Sequence, residues 1–239
     1  MQLRYFIYAT CILIPAGITS HAYADGLSVD KIYDPYVNEL EKELEYRLSK
    51  AEGGLQAPDG FIIHRLGFGT ALNDSFAVEA YINAQGTDDA DRLSAYELEL
   101  RWQLTEQGEY DVDWGAIFEF EHSRDYNVEE LVAKLVALKE WGNYVTTANA
   151  SLIYESSEKT GDEFETALSI QARYRYRSML EPAVEFYASE DYRGIGPVLV
   201  GSMRLEGANS LRWETGTIFG VDSDSADYTF RLMLEYEFY

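Results

Sequence analysis

Apolar and polar side chains alternate in runs of about 10 to 14 residues from residue 39 to the C-terminus. No other feature of the chain narrows its fold as far. In the closing run YTFRLMLEYEFY, Tyr228, Phe230, Leu232, Leu234, Tyr236 and Phe238 share one face. Thr229, Arg231, Met233, Glu235 and Glu237 share the other. YELELRWQL sets Tyr96, Leu98, Leu100, Trp102 and Leu104 against Glu97, Glu99, Arg101 and Gln103. Twelve such segments can be read, at about 39–50, 60–71, 74–85, 92–105, 109–122, 129–140, 143–155, 163–177, 180–189, 197–206, 210–220 and 227–239. Strands of soluble sandwiches average about 5 or 6 residues, whereas a tilted membrane-crossing strand needs about 9 to 11. The lengths therefore favour strands that cross a bilayer.

Two segments are ambiguous. EELVAKLVALKEW is apolar on both faces and could be helical, but a WGN turn signal and another alternating run follow it. PYVNELEKELEYRLSK places Leu40, Leu44 and Leu48 four apart, as a charged helix would. As a strand it turns Leu40, Leu44, Tyr46 and Leu48 one way and Glu39, Glu41, Glu43, Glu45 and Arg47 the other. An even strand count lets an antiparallel barrel close, which favours the strand. The connections fall into a short set (ALNDS, TEQGE, KEWGN, SML, EGANS) and a longer, more acidic set (AEGGLQAPDG, QGTDDAD, SRDYNVE, SSEKTGD, SEDYRGIG, VDSDSA). Barrels of the outer membrane have short periplasmic turns and longer outer loops.

Residues 1–24 read as a cleavable signal peptide: Arg4 in a basic start, an apolar run from Tyr5 to Ile14, Pro15 and Gly17, then Ala22-Tyr23-Ala24. The apolar run is too short to span a bilayer, which takes about 20 residues. The only cysteine, Cys11, lies within it, so the expected mature chain has no disulfide, thiolate metal site or cysteine nucleophile. Residues 25–36 read as a short periplasmic leader and residues 37–239 as one barrel. After residue 24 no stretch approaches 18 uncharged apolar residues, which excludes a membrane helix but not a barrel. The whole chain carries 42 acidic and 19 basic residues, a net charge of −23, and this argues against nucleic acid as a partner. Tyrosine is abundant, with 19 copies, and suits a membrane–water interface. Tyr96, Tyr110, Trp114, Tyr144, Tyr154, Trp213 and Tyr228, at strand ends, are the expected interface girdles.

Taken together, the signal segment, the alternating strands, the two sets of connections and the aromatic end LMLEYEFY resemble bacterial outer-membrane β-barrel proteins as a class. The resemblance covers the whole expected mature chain. It implies an all-β, single antiparallel transmembrane barrel of about 12 strands, with 10 or 14 as alternatives, in the outer membrane of a Gram-negative bacterium. It also implies lipid and lipopolysaccharide as surroundings, and a C-terminal strand recognised by the barrel assembly machinery. The apolar register here ends on Phe238, and Tyr239 overhangs by one. The class includes small porins, oligosaccharide channels and a phospholipase, so the resemblance implies location and fold without fixing activity.

With the polar faces turned inward, the candidate lumen lining is Glu97, Glu99, Arg101, Asp111, Asp113, Glu119, Glu121, Glu165, Arg173, Arg175, Glu185, Arg204, Arg212, Glu214, Arg231, Glu235 and Glu237. Two readings are open. These groups line a narrow acidic channel for small neutral or cationic solutes, or they form salt-bridged ladders that fill the lumen and hold the barrel shut. A membrane hydrolase is a more distant reading. The mature chain has two histidines, His64 and His122, both in the outward register, and Asp111 and Asp113 fall at the opposite end of His122's strand. No nucleophile elbow, metal-binding His pair or phosphate loop occurs, so neither an enzyme nor a cofactor is expected. Asp222, Asp224 and Asp227, and separately Asp88, Asp89 and Asp91, are weak candidates for a divalent cation, since acidic loop tips are usually just solvated.

Overall fold

The computed structural model describes residues 29–53, 60–87, 90–124, 128–157 and 161–239. The expected signal segment with Cys11, residues 25–28 of the expected leader, and Asp88 and Asp89 lie outside the described residues. Twelve strands follow one another: β1 (Lys42–Glu52), β2 (Phe61–Ala71), β3 (Phe76–Thr87), β4 (Ala90–Gln103), β5 (Asp113–Ser123), β6 (Val128–Trp141), β7 (Tyr144–Ser157), β8 (Gly161–Tyr174), β9 (Glu181–Ala188), β10 (Arg193–Arg204), β11 (Ser210–Gly220) and β12 (Tyr228–Phe238). Every neighbour in sequence is an antiparallel neighbour in space, and β1 pairs with β12 from Lys42–Phe238 to Glu52–Tyr228, so the sheet is a closed barrel. The expected all-β barrel of twelve strands is the one formed.

Alternation decides which face each strand turns outward. Leu66, Leu98, Phe118, Leu131, Leu152 and Leu199 are exposed on the outer wall, while Glu79, Glu97, Glu99, Glu185 and Glu214 are buried inside. Aromatic pairs bracket the apolar belt. Tyr144–Tyr174, Phe76–Trp102 and Tyr236–Phe238 sit towards the rim where β12 ends, called here the lower rim, and Tyr154–Phe164 sits towards the upper rim. Tyr144 and Tyr154 are ten residues apart on β7, a height of about 25 Å for a strand tilted by about 40°. That matches the apolar band of a transmembrane barrel.

Both ambiguous segments are strands. β6 looks apolar on both faces because its inner face meets protein rather than water. Val136 is fully buried against Tyr33 and Ile117, while Leu131 and Leu135 face outward. β1 turns Glu43, Glu45 and Arg47 inward but starts at Lys42, not at residue 39. Residues 38–41 form a turn instead, with Leu40 at φ 67° and the Glu41 amide donating to the Asn38 carbonyl. The expected contrast in loop length is not observed. β3 and β4 are joined at the upper rim by residues 88–89 alone, whereas β4 and β5 are joined at the lower rim by residues 104–112. Strand pairing extends through much of what reads as loop, since β10 begins at Arg193.

The largest departure from expectation lies at the N-terminal side. Residues 29–36 do not form a leader outside the barrel; from Val29 to Val37 the chain runs down inside it. Val29, Lys31, Ile32 and Tyr33 are all buried. Val29 and Ile32 pack on Ala183, Tyr187, Val198, Val200 and Ile218 of β9, β10 and β11. The turn at 38–41 then reverses the chain into β1. The physical reason is size. A barrel wider than about eight strands leaves space that wall side chains alone do not fill. Gly115, which faces inward from β5, gives the segment room: a Cβ there would lie 2.9 Å from the Cα of Pro35. We expect Gly115→Val to push the segment off the wall, at a cost of about 1–3 kcal/mol. Maleimide labelling of an introduced Val29→Cys in the purified barrel should then be much faster than in the Gly115 parent, and equal rates would contradict this packing.

Candidate functional site

The lumen and the segment inside it form one network of buried charge. β1 and β12 place Glu45 and Glu235 on adjoining inner positions, and Lys31 of the segment reaches both, at 2.5 and 2.7 Å. Asp30 is held by Arg65 at 2.9 Å and Arg47 at 3.1 Å, and its carbonyl accepts from Tyr187 at 2.6 Å and Arg231 at 3.0 Å. Asp34 lies 3.5 Å from Arg212 and 3.8 Å from Arg173 and accepts from the Thr147 hydroxyl. The Tyr33 backbone is read by one side chain: its N–H donates to Asn149 Oδ1 at 2.7 Å, and its carbonyl accepts from Asn149 Nδ2 at 2.9 Å. Asn149 thus supplies what a neighbouring strand would otherwise supply. Lower down, Tyr36 donates to Asp113, and the Val37 amide donates to Gln103.

Tyr33 is the centre of this arrangement. Its hydroxyl donates to Glu99 at 2.8 Å and accepts from Arg47 at 3.0 Å. Around its ring stand Lys134 at 4.4 Å, Lys31 at 5.2 Å, and Arg47 and Arg101 at 5.3 Å. An aromatic face is one of the few uncharged surfaces that attract cations, and desolvation strengthens the effect. The wall carries its own pairs: Arg101 with Glu79 and Glu99, Lys134 with Glu119, Arg212 with Glu214, and Arg231 with Glu185 and Glu214. Two clefts flank the segment. One, of about 20 Å³, lies between Tyr36, Glu43 and Arg101; the other, of about 10 Å³, lies between Asp30 and Arg65. Each has room for about one water.

Of the residues expected to line the lumen, Glu97, Glu99, Asp113, Glu185, Glu214, Arg231 and Glu235 are buried there. Arg101, Glu119, Glu121, Glu165, Arg173, Arg212 and Glu237 are half-buried. Three lie elsewhere. Asp111 is in the lower-rim connection, fully exposed and 3.6 Å from Lys139. Arg175, just past β8, forks onto Glu140 at the lower rim, and Arg204 ends β10 exposed. These three stand where pairing stops, so alternation no longer fixes their direction. The expected list omits Glu45, Arg47, Arg65, Glu79, Asn149 and Lys134. Alternation implies an inward register for all of these but Lys134, which lies on the ambiguous β6 run. The roles of Asp30, Lys31, Tyr33 and Asp34 had no local signal at all.

The described loop acids have protein partners. Asp222 accepts from the Ser225 amide and hydroxyl, Asp224 accepts from Ser223, and Asp91 lies 3.5 Å from His64. Among the described residues, Glu97, Glu99 and Glu119 do bring carboxylate oxygens within 4.8 Å of one another. Arg65, Arg101, Tyr33 and Lys134 already engage these three carboxylates, so we assign no metal there. His122 pairs across the strands with Tyr96 and lies nine positions along β5, about 30 Å of chain, from Asp113.

No protein-family model matches the chain, and no curated protein matches it in sequence. Solved structures do share its fold. The COG4313 outer membrane channel from Pseudomonas putida F1 aligns with a TM-score of 0.58 at 13% identity, covering 87% of this chain and 98% of that one. The KdgM porin in complex with disordered oligogalacturonate aligns at 0.54 and 10%, covering 82% and 98%. At such identities the likeness establishes the outer-membrane type of barrel fold.

Removing one partner of a buried ion pair strands the other, which typically costs about 3–5 kcal/mol. Arg231→Met leaves Glu185 and Glu214 facing each other, so urea unfolding of the purified barrel should show a loss of that size. Adding Glu214→Gln should recover part of it. A pH effect is expected at the lower rim. Glu41, beside Asn38 and Tyr239 just below β1, is pushed up to about 7 by burial and by the charge of Glu237. Its ordinary value is 4.5, so between there and about 7 the folded state holds a proton that the unfolded state releases. The stabilisation is complete below 4.5 and is lost as pH rises through 7. Glu41→Gln should flatten this part of the stability profile measured by urea unfolding, and an unchanged slope would exclude Glu41 as its source.

Proposed function

We propose that the protein is a porin-like passage in the outer membrane of a Gram-negative bacterium, closed by its own segment 29–37. The observation that carries this reading is what fills the lumen. It is occupied by a separate, charged piece of chain, around which wall pairs such as Arg231–Glu185 close. A wall lined by Glu43, Glu45, Glu79, Glu97, Glu99, Glu185, Glu214 and Glu235, once vacated, would admit small neutral or cationic solutes and repel anions. The apolar belt and its two aromatic girdles support lipid and lipopolysaccharide as surroundings, with the lower rim in the periplasm. The aromatic β12 would serve as the handle for the barrel assembly machinery. The wide separation of Asp113 from His122 favours a role without catalysis.

The buried ion pairs of the segment favour a second reading, a structural barrel that stays plugged. Planar-bilayer recording separates the two. The intact barrel should be silent or open only briefly. A variant lacking residues 29–37, verified as folded by its shifted mobility on unheated gels, should give a steady cation-selective conductance. Silence of the folded deletion variant at high salt and voltage would refute the passage and leave the structural barrel.

A further inference from the structure

We infer that Glu45 and Glu235 form a binding site for the primary ammonium group of a small alkyl amine or polyamine, and that Lys31 occupies it as a built-in stand-in for that ligand. The inference rests on the reading of segment 29–37 as a removable plug. Lys31 is the one lysine in the segment, and its ammonium sits between carboxylates from the first and last strands, 2.5 and 2.7 Å away. Its side chain is almost fully buried, and the face of the Tyr33 ring lies 5.2 Å away. An ammonium offers three N–H donors and a compact charge, and two carboxylates satisfy two of those donors.

A second observation points to the same ligand. Glu43, the next inward residue below Glu45 on β1, is buried, and its Oε1 has no hydrogen-bond partner. It borders the cleft of about 20 Å³ beside the segment, with Arg101 3.6 Å off. Glu43, Glu45 and Glu235 thus stand together on the inner faces of β1 and β12, with Arg101 and Arg47 as wall cations in ion-pair range of the first two. Among the described residues, Lys31 is the cation within 4.0 Å of Glu235, whereas Glu45 also has Arg47. When the segment leaves, Glu235 loses that cation, and Arg212, opposite it on β11 and released from Asp34, is the wall cation that an incoming amine must outdo. A free amine and Lys31 therefore exclude one another, and whatever amine binds favours the withdrawn segment by the same factor that the segment weakens the amine.

The test measures binding, not conduction, in the full-length processed chain in detergent. The probes are 1-butylamine, which reproduces the lysine side chain, and spermidine; tetramethylammonium, which has no N–H donor, is the control. Calorimetry on Lys31→Ala should show both amines binding about tenfold or more tighter than in the parent, within the range usual for coupled sites. Tetramethylammonium should bind no better than in the parent. Adding Glu235→Gln should abolish the gain. If Lys31→Ala is too unstable to titrate, its thermal unfolding in the presence of each probe replaces calorimetry. 1-Butylamine should then raise the midpoint and tetramethylammonium should not. Absence of a gain in Lys31→Ala, a gain that survives Glu235→Gln, or equal effects of all three probes would overturn the site. Because no conductance is read, binding in a barrel that is silent in bilayers would retain the site while refuting the passage. Conduction without amine binding would do the reverse.

Discussion

Hydrocarbon offers a backbone amide no partner, and everything else in this molecule follows from the pairing that answers that constraint. β1 and β12, the two ends of the sheet, are in register along eleven residues from Lys42–Phe238 to Glu52–Tyr228. With that seam closed, no strand edge is left to face lipid. The seam also fixes the geometry of the interior. Glu43, Glu45 and Arg47 on β1 come to lie beside Arg231 and Glu235 on β12. A single register slip would turn these charges into lipid and the leucines into the lumen.

Closure creates a second problem, because it concentrates acids in a space with little water. Glu185 and Glu214 are completely buried, and a buried carboxylate without a partner is unfavourable by several kcal/mol. Three sources of compensation are visible. Arginines on the wall engage acids of other strands, as Arg231 does with Glu214 of the adjacent β11 and with Glu185 of β9, three strands away. Neutral donors such as Gln171 and Tyr187 complete the coordination of Glu185. The segment 29–37 contributes the rest, with Lys31 opposite Glu45 and Glu235 while Asp30 and Asp34 meet surplus arginines. The segment and the wall therefore pair individual charges, although the segment is itself net negative, and the vacated lumen is a different electrostatic object from the occupied one. On the proposed reading, a barrel closed by exchangeable ion pairs is suited to opening by a competing charge. One packed with leucine would not be.

The limits of a local reading are clearest in β6. From EELVAKLVALKEW alone neither facing nor helix against strand is decidable, because both faces are apolar. The ambiguity disappears once Tyr33 is seen against Val136, since protein covers the inner face as lipid covers the outer one. The rim residues show a different limit. Asp111, Arg175 and Arg204 obey the alternation of their runs yet lie outside the lumen, because direction is inherited from strand pairing and ceases where pairing ceases.

What the sequence by itself determined was what depends on a clear period two: strand identity and the face turned to lipid in every run but the ambiguous β6, a strand number of about 12, and the acidic character of the interior. Those properties are local, since adjacent side chains on a pleated strand must point opposite ways whatever else the chain does. Only the tertiary structure decided that Val29–Val37 enters the barrel. Its nine residues carry no period and too little apolar area to fold alone. Their position is set by partners such as Glu235, which lies 204 residues from Lys31 along the chain. Such a contact exists only after the first and last strands have met.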